Sequence, residues 1–190
     1  VYGIYEHYKE TKDKEFLKLT YEMWKNAIGL LGTFPFGSYV PFSSPERLKT
    51  YESYDLWEMH EGIHLYSLSA IYAAFDAMIQ IEKELKINSN IEHLEAHKEK
   101  IKEYCMTNLY NKETNTLKRN NKDDICDISV LGSVIPFNML DENQKEIKNT
   151  IERIDLNLRT YTGGYLRFEN DSYMGGNNPW PIATLWMALY

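Results

Sequence analysis

Cysteine is scarce in this chain: Cys105 and Cys126 are the only two among 190 residues. They are not spaced as a metal-binding pair, and free thiols in a reducing compartment fit them better than a disulfide framework. Long apolar runs are also lacking, so no segment reads as spanning a bilayer. No secretory leader is recognisable, which makes the expected location cytoplasmic. Positive charge is in deficit, with 21 Lys and Arg against 28 Asp and Glu and a net charge of -7. Such a surface repels a phosphate backbone, which excludes nucleic acid as the expected partner. Period-two alternation is missing except for a polar hairpin or turn near residues 111–121. The glycines of residues 163–176 lack the spacing of either a dinucleotide or a P-loop motif. One domain is expected at this length.

Aromatic residues, by contrast, are plentiful: 14% of the chain, including 15 Tyr and 4 Trp. Many fall between helical segments, where they either pad a helical fold or hold a flat polar ligand such as a sugar. Residues 1–9 read as the end of a helix. Leu17, Tyr21, Trp24, Ile28 and Leu31 then recur at helical spacing. Residues 32–52 carry three prolines and read as a long loop. Residues 63–75 contain no Asp, Glu, Lys or Arg, which predicts a helix buried on most sides. The next helix, over residues 91–109, has a stripe of Ile91, Leu94, Ile101 and Cys105 under a charged face. Residues 128–140 are again uncharged, residues 141–158 again amphipathic through Ile147, Ile151, Ile154 and Leu158, and residues 180–190 uncharged once more. Alternation of this kind predicts an all-α fold in two concentric layers, with uncharged helices inside and charged ones outside. The long loops over residues 32–62 and 163–179 both lead into inner helices and are expected to meet at one mouth.

That mouth would hold the densest polar and aromatic stretch of the chain, Tyr54-Asp55-Leu56-Trp57-Glu58 with Met59, His60, Glu61 and His64 close behind. A carboxylic acid beside an indole is partly desolvated, which raises its pKa and suits it to general-acid work. The alternative is an acid that caps backbone amides at a helix start. His64 either lines the pocket or is a core histidine bonded to backbone. Arg167 and Asp171 either pair with each other or bind hydroxyls. Asn178 and Pro179 read as the cap and first turn of the last helix. His93 and His97 stand four apart, but on a face read as solvated and without the following Glu of a zinc-binding helix, so no metal and no cofactor is expected.

Taken together, Tyr54-Asp55-Leu56-Trp57-Glu58, Gly62-Ile63-His64, residues 167–173, residues 175–180 and Thr184-Leu185-Trp186-Met187-Ala188 resemble the glucoamylase family, glycoside hydrolase family 15. Tyr5-Glu6-His7-Tyr8 and the turn after it are similar to that family as well. The resemblance implies an (α/α)6 toroid of inner and outer helices, of which this chain would supply about half. It also implies hydrolysis of α-glucosidic bonds from the non-reducing end, with inversion. By position Glu58 matches the general acid. Asp55 and Trp57 would hold that acid and shape the pocket, with Glu61 and His64 alongside. Arg167 and Asp171 match positions near the sugar, and Tyr173 and Trp180 would line the entrance. The expected partner is an oligosaccharide or polysaccharide, not a nucleic acid or a membrane.

The family's general base lies beyond its last Trp-containing helix, so on this reading residues 1–190 are an internal part of one catalytic domain. They would lack the base and be inactive alone. Exposed inner-helix surface would make them self-associate. Met59 stands where many members carry Glu. Trehalase and glucodextranase share the fold and the motifs. A non-catalytic module, as in the regulatory subunits of phosphorylase kinase, is the reading from a different class. Toroidal sugar epimerases need paired pocket histidines, and only His64 is suitably placed.

Overall fold

The computed structural model describes residues 1–31, 52–87 and 91–190. The loop read over residues 32–51 falls outside them. The first helix, α1 (Tyr2–Thr11), ends on Lys12 in the left-handed region, whose N–H donates to the Tyr8 carbonyl at 2.8 Å. Asp13 then accepts the Phe16 N–H at 3.0 Å and opens α2 (Lys14–Leu31), a side-chain cap of the usual kind. As its periodicity predicts, α2 buries Leu17, Trp24 and Ile28.

The central element is α3 (Leu65–Leu85), which packs against α1, α2, α4 and the 3₁₀ helix described below. Leu65, Leu68, Ile71, Phe75, Met78, Ile79 and Ile81 are all buried, so the predicted inner helix is inner. It runs ten residues past Phe75, through Asp76, Glu82, Lys83 and Glu84. The stop is a left-handed Lys86 whose N–H reaches the Glu82 and Lys83 carbonyls. No glycine marks it, and the charge-free window therefore understated the helix.

Outside α3 lies α4 (Ile91–Asn108), buried through Leu94, His97, Lys98, Ile101 and Cys105. His97 and Lys98 were expected on the wet face. Instead, Lys98 reaches back across α3 to Asp76 at 2.6 Å and lies 5.1 Å from the Tyr72 ring centre, so its stem covers apolar surface while its charge is paired. A hairpin follows, β3 (Tyr110–Asn111) against β4 (Thr116–Leu117), tied by Asn111 Oδ1 accepting the Glu113 and Thr114 N–H groups. The amphipathic α5 (Lys145–Leu158) packs on β4 through Ile147, Thr150, Ile154 and Leu158.

Residues 128–140 depart from expectation. They form a 3₁₀ helix, Ile128–Ser133, and then turns through Pro136, not an inner α-helix. Pro136 offers no N–H and disfavours helical backbone before it, which stops the segment early. The segment is inner all the same, since every residue from Ile128 to Ser133 is buried. The last helix, α6 (Pro181–Leu189), starts three residues after Asn178, with Trp180 in the cap position and Pro181 at N1. Asn178 instead donates to the Tyr173 and Met174 carbonyls. Among the described residues, no helix is long and apolar enough to cross a membrane.

Candidate active site

Two short strands, β1 (Ser53–Tyr54) and β2 (Glu61–Gly62), pair antiparallel and present residues 55–60 as a tight turn. Asp55 organises that turn. Its N–H donates to the His60 carbonyl at 2.9 Å, and its carbonyl accepts the Glu58 N–H at 3.0 Å. One carboxylate oxygen accepts the Met59 N–H at 2.8 Å and the other lies 2.9 Å from His60 Nδ1. Burial pushes the Asp55 carboxyl up, but these bonds to its charged form, with Met59 foremost, bring it below its ordinary value. His60 is fixed from the other side by the Phe168 ring, edge-on at 5.4 Å.

Within this turn Glu58 adopts φ +57°, a left-handed conformation uncommon for a non-glycine residue. The conformation turns its side chain into solvent, where among the described residues the carboxylate has no partner. Desolvation of Glu58 by the neighbouring indole was expected, yet the carboxylate that Trp57 touches is a different one. Trp57 Nε1 donates to Asp127, 3.2 Å from each oxygen. Asp127 is 2% exposed, and burial drives its carboxyl above its ordinary value against the opposing pull of Ser129, Trp57 and Arg119. Sequence reasoning missed Asp127. The available signal was an acid at the head of an uncharged run, the position of a buried helix cap.

The second long loop supplies a caged cation. Arg167 donates from Nε and one terminal nitrogen to Asp171, both at 2.8 Å, in a bidentate pair with both residues buried. Asp171 also accepts the Tyr173 N–H at 3.0 Å. The Arg167 hydrogen bond is the main cause holding the Asp171 carboxyl below its usual value. The guanidinium carbon lies 4.3 Å from the Trp180 ring centre, 5.2 Å from those of Phe168 and Tyr173, and 5.5 Å from that of Trp57. Trp57 and Trp180 are 6.4 Å apart, and Tyr173 stands 5.2 Å from Trp180. Thus the turn after β1 and the loop before α6 do meet, on an open face where Tyr54, Met59, Tyr173 and Met174 are exposed.

Two further residues expected at the pocket are placed beside the turn. His64 is buried, and its Nε2 lies 3.1 Å from the Ser53 carbonyl, a contact that ties the start of α3 to β1. Desolvation is the leading reason its pKa is lowered. Glu61 lies on β2 opposite Tyr54, exposed. His97 Nδ1 rests 3.3 Å from the His93 carbonyl, and no group of three or more His, Cys, Asp or Glu able to hold a metal occurs among the described residues.

Known proteins bear on this arrangement. The profile of Glycosyl hydrolases family 15 matches residues 46–190. The chain is 27% identical over 186 residues to an uncharacterized glycosyl hydrolase of Methanocaldococcus jannaschii, covering 97% of this chain and 28% of that protein. It is 26% identical over 189 residues to trehalase 2 of Sulfolobus acidocaldarius, covering 98% of this chain and 30% of that one. The chain therefore spans less than a third of the length of these curated relatives. Among solved structures, a glycosidase in complex with glucose superposes with a TM-score of 0.62 at 21% identity, over 70% of this chain and 35% of that one. The glucoamylase from Saccharomycopsis fibuligera does so with a TM-score of 0.59 at 15% identity, over 73% and 34%. These likenesses identify the two-layered arrangement as part of an (α/α)6 toroid. By the match over residues 46–190, the chain belongs to glycosyl hydrolases family 15.

Proposed function

We propose that residues 1–190 carry the acid side of an inverting α-glucosidase site, within a protein that releases glucose from the non-reducing end of α-glucans. Glu58 is the general acid: its O–H donates to the glycosidic oxygen as the bond from that oxygen to the sugar's anomeric carbon breaks. A water attacks the anomeric carbon from the opposite face and loses its proton to a second carboxylate, about 6.5–9.5 Å from the first in inverting enzymes. That general base is proposed to come from the remainder of the catalytic domain, since the chain spans less than a third of the curated relatives it matches. The observation that carries the reading is the left-handed turn at Glu58. Asp55 holds it, and it delivers an unpartnered carboxylate to solvent beside an indole that packs on Arg167 and Trp180.

The remaining roles follow from the same geometry. Asp55 keeps the turn closed, and Trp57 carries its ring from the acid's turn to Arg167 and Trp180. Asp171 occupies Nε and one terminal nitrogen of Arg167, which leaves the other terminal nitrogen to donate to a sugar hydroxyl. Tyr173 and Trp180 offer ring faces at the entrance, suited to the C–H face of a sugar. Glu61 is placed at the outer edge, and His64 supports from the core. Trehalose hydrolysis is the second reading, favoured by the 26% identity to a protein named trehalase.

The test is glucose release by the full-length protein from maltose, maltotriose, starch and trehalose, with the product anomer read by NMR. β-Glucose from malto-oligosaccharides is expected, and turnover of trehalose alone would select the second reading. Glu58→Gln is expected to lower turnover by roughly 10²–10⁴-fold, the worth of a positioned general acid, with sugar binding largely retained. Substantial turnover in that variant would remove Glu58 from the role of acid.

A further inference from the structure

Asp127 lies outside every motif that carries the family resemblance, yet it joins the two halves of the site. Its carboxylate accepts the Trp57 indole N–H at 3.2 Å and the Ser129 N–H at 2.8 Å. The N–H of the next residue, Ile128, donates to the Arg167 carbonyl at 2.9 Å, and Asp127 bridges in antiparallel fashion to Phe168. Among the described residues its one cationic hydrogen-bond partner is Arg119, at 3.4 Å from Nη1. Arg119 is itself committed to Asp123 at 3.0 and 2.9 Å and lies over the Phe168 ring at 5.3 Å. Asp127 is therefore a fully buried carboxyl group whose cationic neighbour is shared with a second carboxylate.

A buried ionisable group of this kind is a poor stabiliser, since an apolar residue of similar size commonly serves the fold as well or better. What an apolar residue could not do is hold the orientation of an indole N–H. Trp57 directly precedes Glu58 in the turn, its ring lies 5.5 Å from the Arg167 guanidinium carbon and 6.4 Å from the Trp180 ring, and its Nε1–H is the atom that Asp127 holds. We propose that Asp127 is a positioning residue of the hydrolytic reaction: it orients Trp57, and through Trp57 the turn that presents Glu58. The proposal rests on the reading of Glu58 as the acid. Because the Arg167–Asp171 pair and the Asp171–Tyr173 bond do not involve Asp127, the effect belongs in turnover more than in binding.

The experiment uses the full-length protein with Glu58→Gln as its reference. If that variant keeps its activity, the acid reading fails, whatever Asp127 does. If it does not, Asp127→Leu is expected to lower kcat about 10–100-fold with KM within about threefold, the size of leaving a buried donor without its acceptor. Asp127→Asn, which keeps an acceptor for the indole, is expected to recover most of that loss. In a Trp57→Phe background, which has no N–H to hold, Asp127→Leu should cost little more. An equal loss in both backgrounds, or a lowered melting temperature with unchanged kcat, overturns the proposal. A readout independent of turnover is the Trp57 indole N–H resonance, assigned by its disappearance in Trp57→Phe. It should move in Asp127→Asn while the other indole signals stay, which also covers failure of the Leu variant to fold. An unmoved resonance overturns the proposal.

Discussion

At the scale of single residues, the best-defined charge in the site is Asp171, whose carboxyl is held down first of all by the bidentate Arg167 contact. A carboxyl with a depressed folded pKa contributes stability that is fully present above its unfolded value, near 3.9, and is lost as pH falls through the folded value. Asp171→Asn removes that contribution and leaves a buried guanidinium without its anion, a change that costs about 3–5 kcal/mol when one partner of a buried pair is deleted. The melting temperature of the variant is therefore expected to lie well below that of the natural chain at pH 7. The gap should narrow as pH falls from about 4 toward the depressed folded value, through which the natural chain loses the same charge. A gap independent of pH would assign the effect to packing. The motif residues themselves were legible in the sequence, and Arg167 with Asp171 could be read as a pair from their spacing. Two things were not legible. Which carboxylate the indole contacts depends on a partner seventy residues away, Asp127. The backbone at Glu58 turns left-handed because Asp55 binds across the turn, not because of any residue type at position 58.

At the scale of elements, the amphipathic stripes named the buried residues of α2 and α5 well, since outer helices have one wet face and period 3.6 is unmistakable there. Uncharged segments were harder to read, because an inner position removes charge from any backbone that occupies it. Residues 128–140 show this: they are as buried as α3 but adopt 3₁₀ and turn geometry. Gly132 explains part of how they pack. A Cβ there would lie 2.5 and 2.8 Å from two ring carbons of Tyr66 on α3, closer than carbon atoms approach. Tyr66 in turn meets Phe137 and Trp186 edge-on, so its ring cannot easily withdraw. Gly132→Ala is expected to destabilise the protein by about 1–3 kcal/mol, the usual cost of overpacking a close-packed interior. Thermal or urea unfolding would measure it. The double variant Gly132→Ala with Tyr66→Ala should lose less than the sum of the two single changes, because the clash disappears with the ring. Additive losses would place the strain elsewhere.

At the scale of the whole molecule, layering puts α3 in the middle with neighbours on several sides, whereas α6 has only part of its surface covered. Ala183 and Trp186 are buried, while Ile182, Leu185 and Leu189 are 46%, 62% and 66% exposed. Those three fall at spacings of three and four, along one side of the helix, and α2 shows a smaller apolar side through Leu19 and Met23. An uncharged inner helix was expected to be covered nearly all round, and α6 is not. Each exposed leucine that becomes covered gains roughly 1.5–3 kcal/mol, so a continuous apolar side of this kind favours contact with another copy over contact with water. Residues 1–190 alone are accordingly expected to show a mass above that of one chain in light scattering, increasingly so as concentration rises. Leu185→Lys with Leu189→Lys should return the species to a single chain without loss of helix signal in circular dichroism, since neither side chain is part of the core. A monodisperse single chain before any substitution would mean that the α6 side tolerates water and that the self-association expected from the sequence is wrong. Oligomers that persist in the double variant would move the contact to the α2 side, where Leu19→Lys with Met23→Lys is the corresponding test.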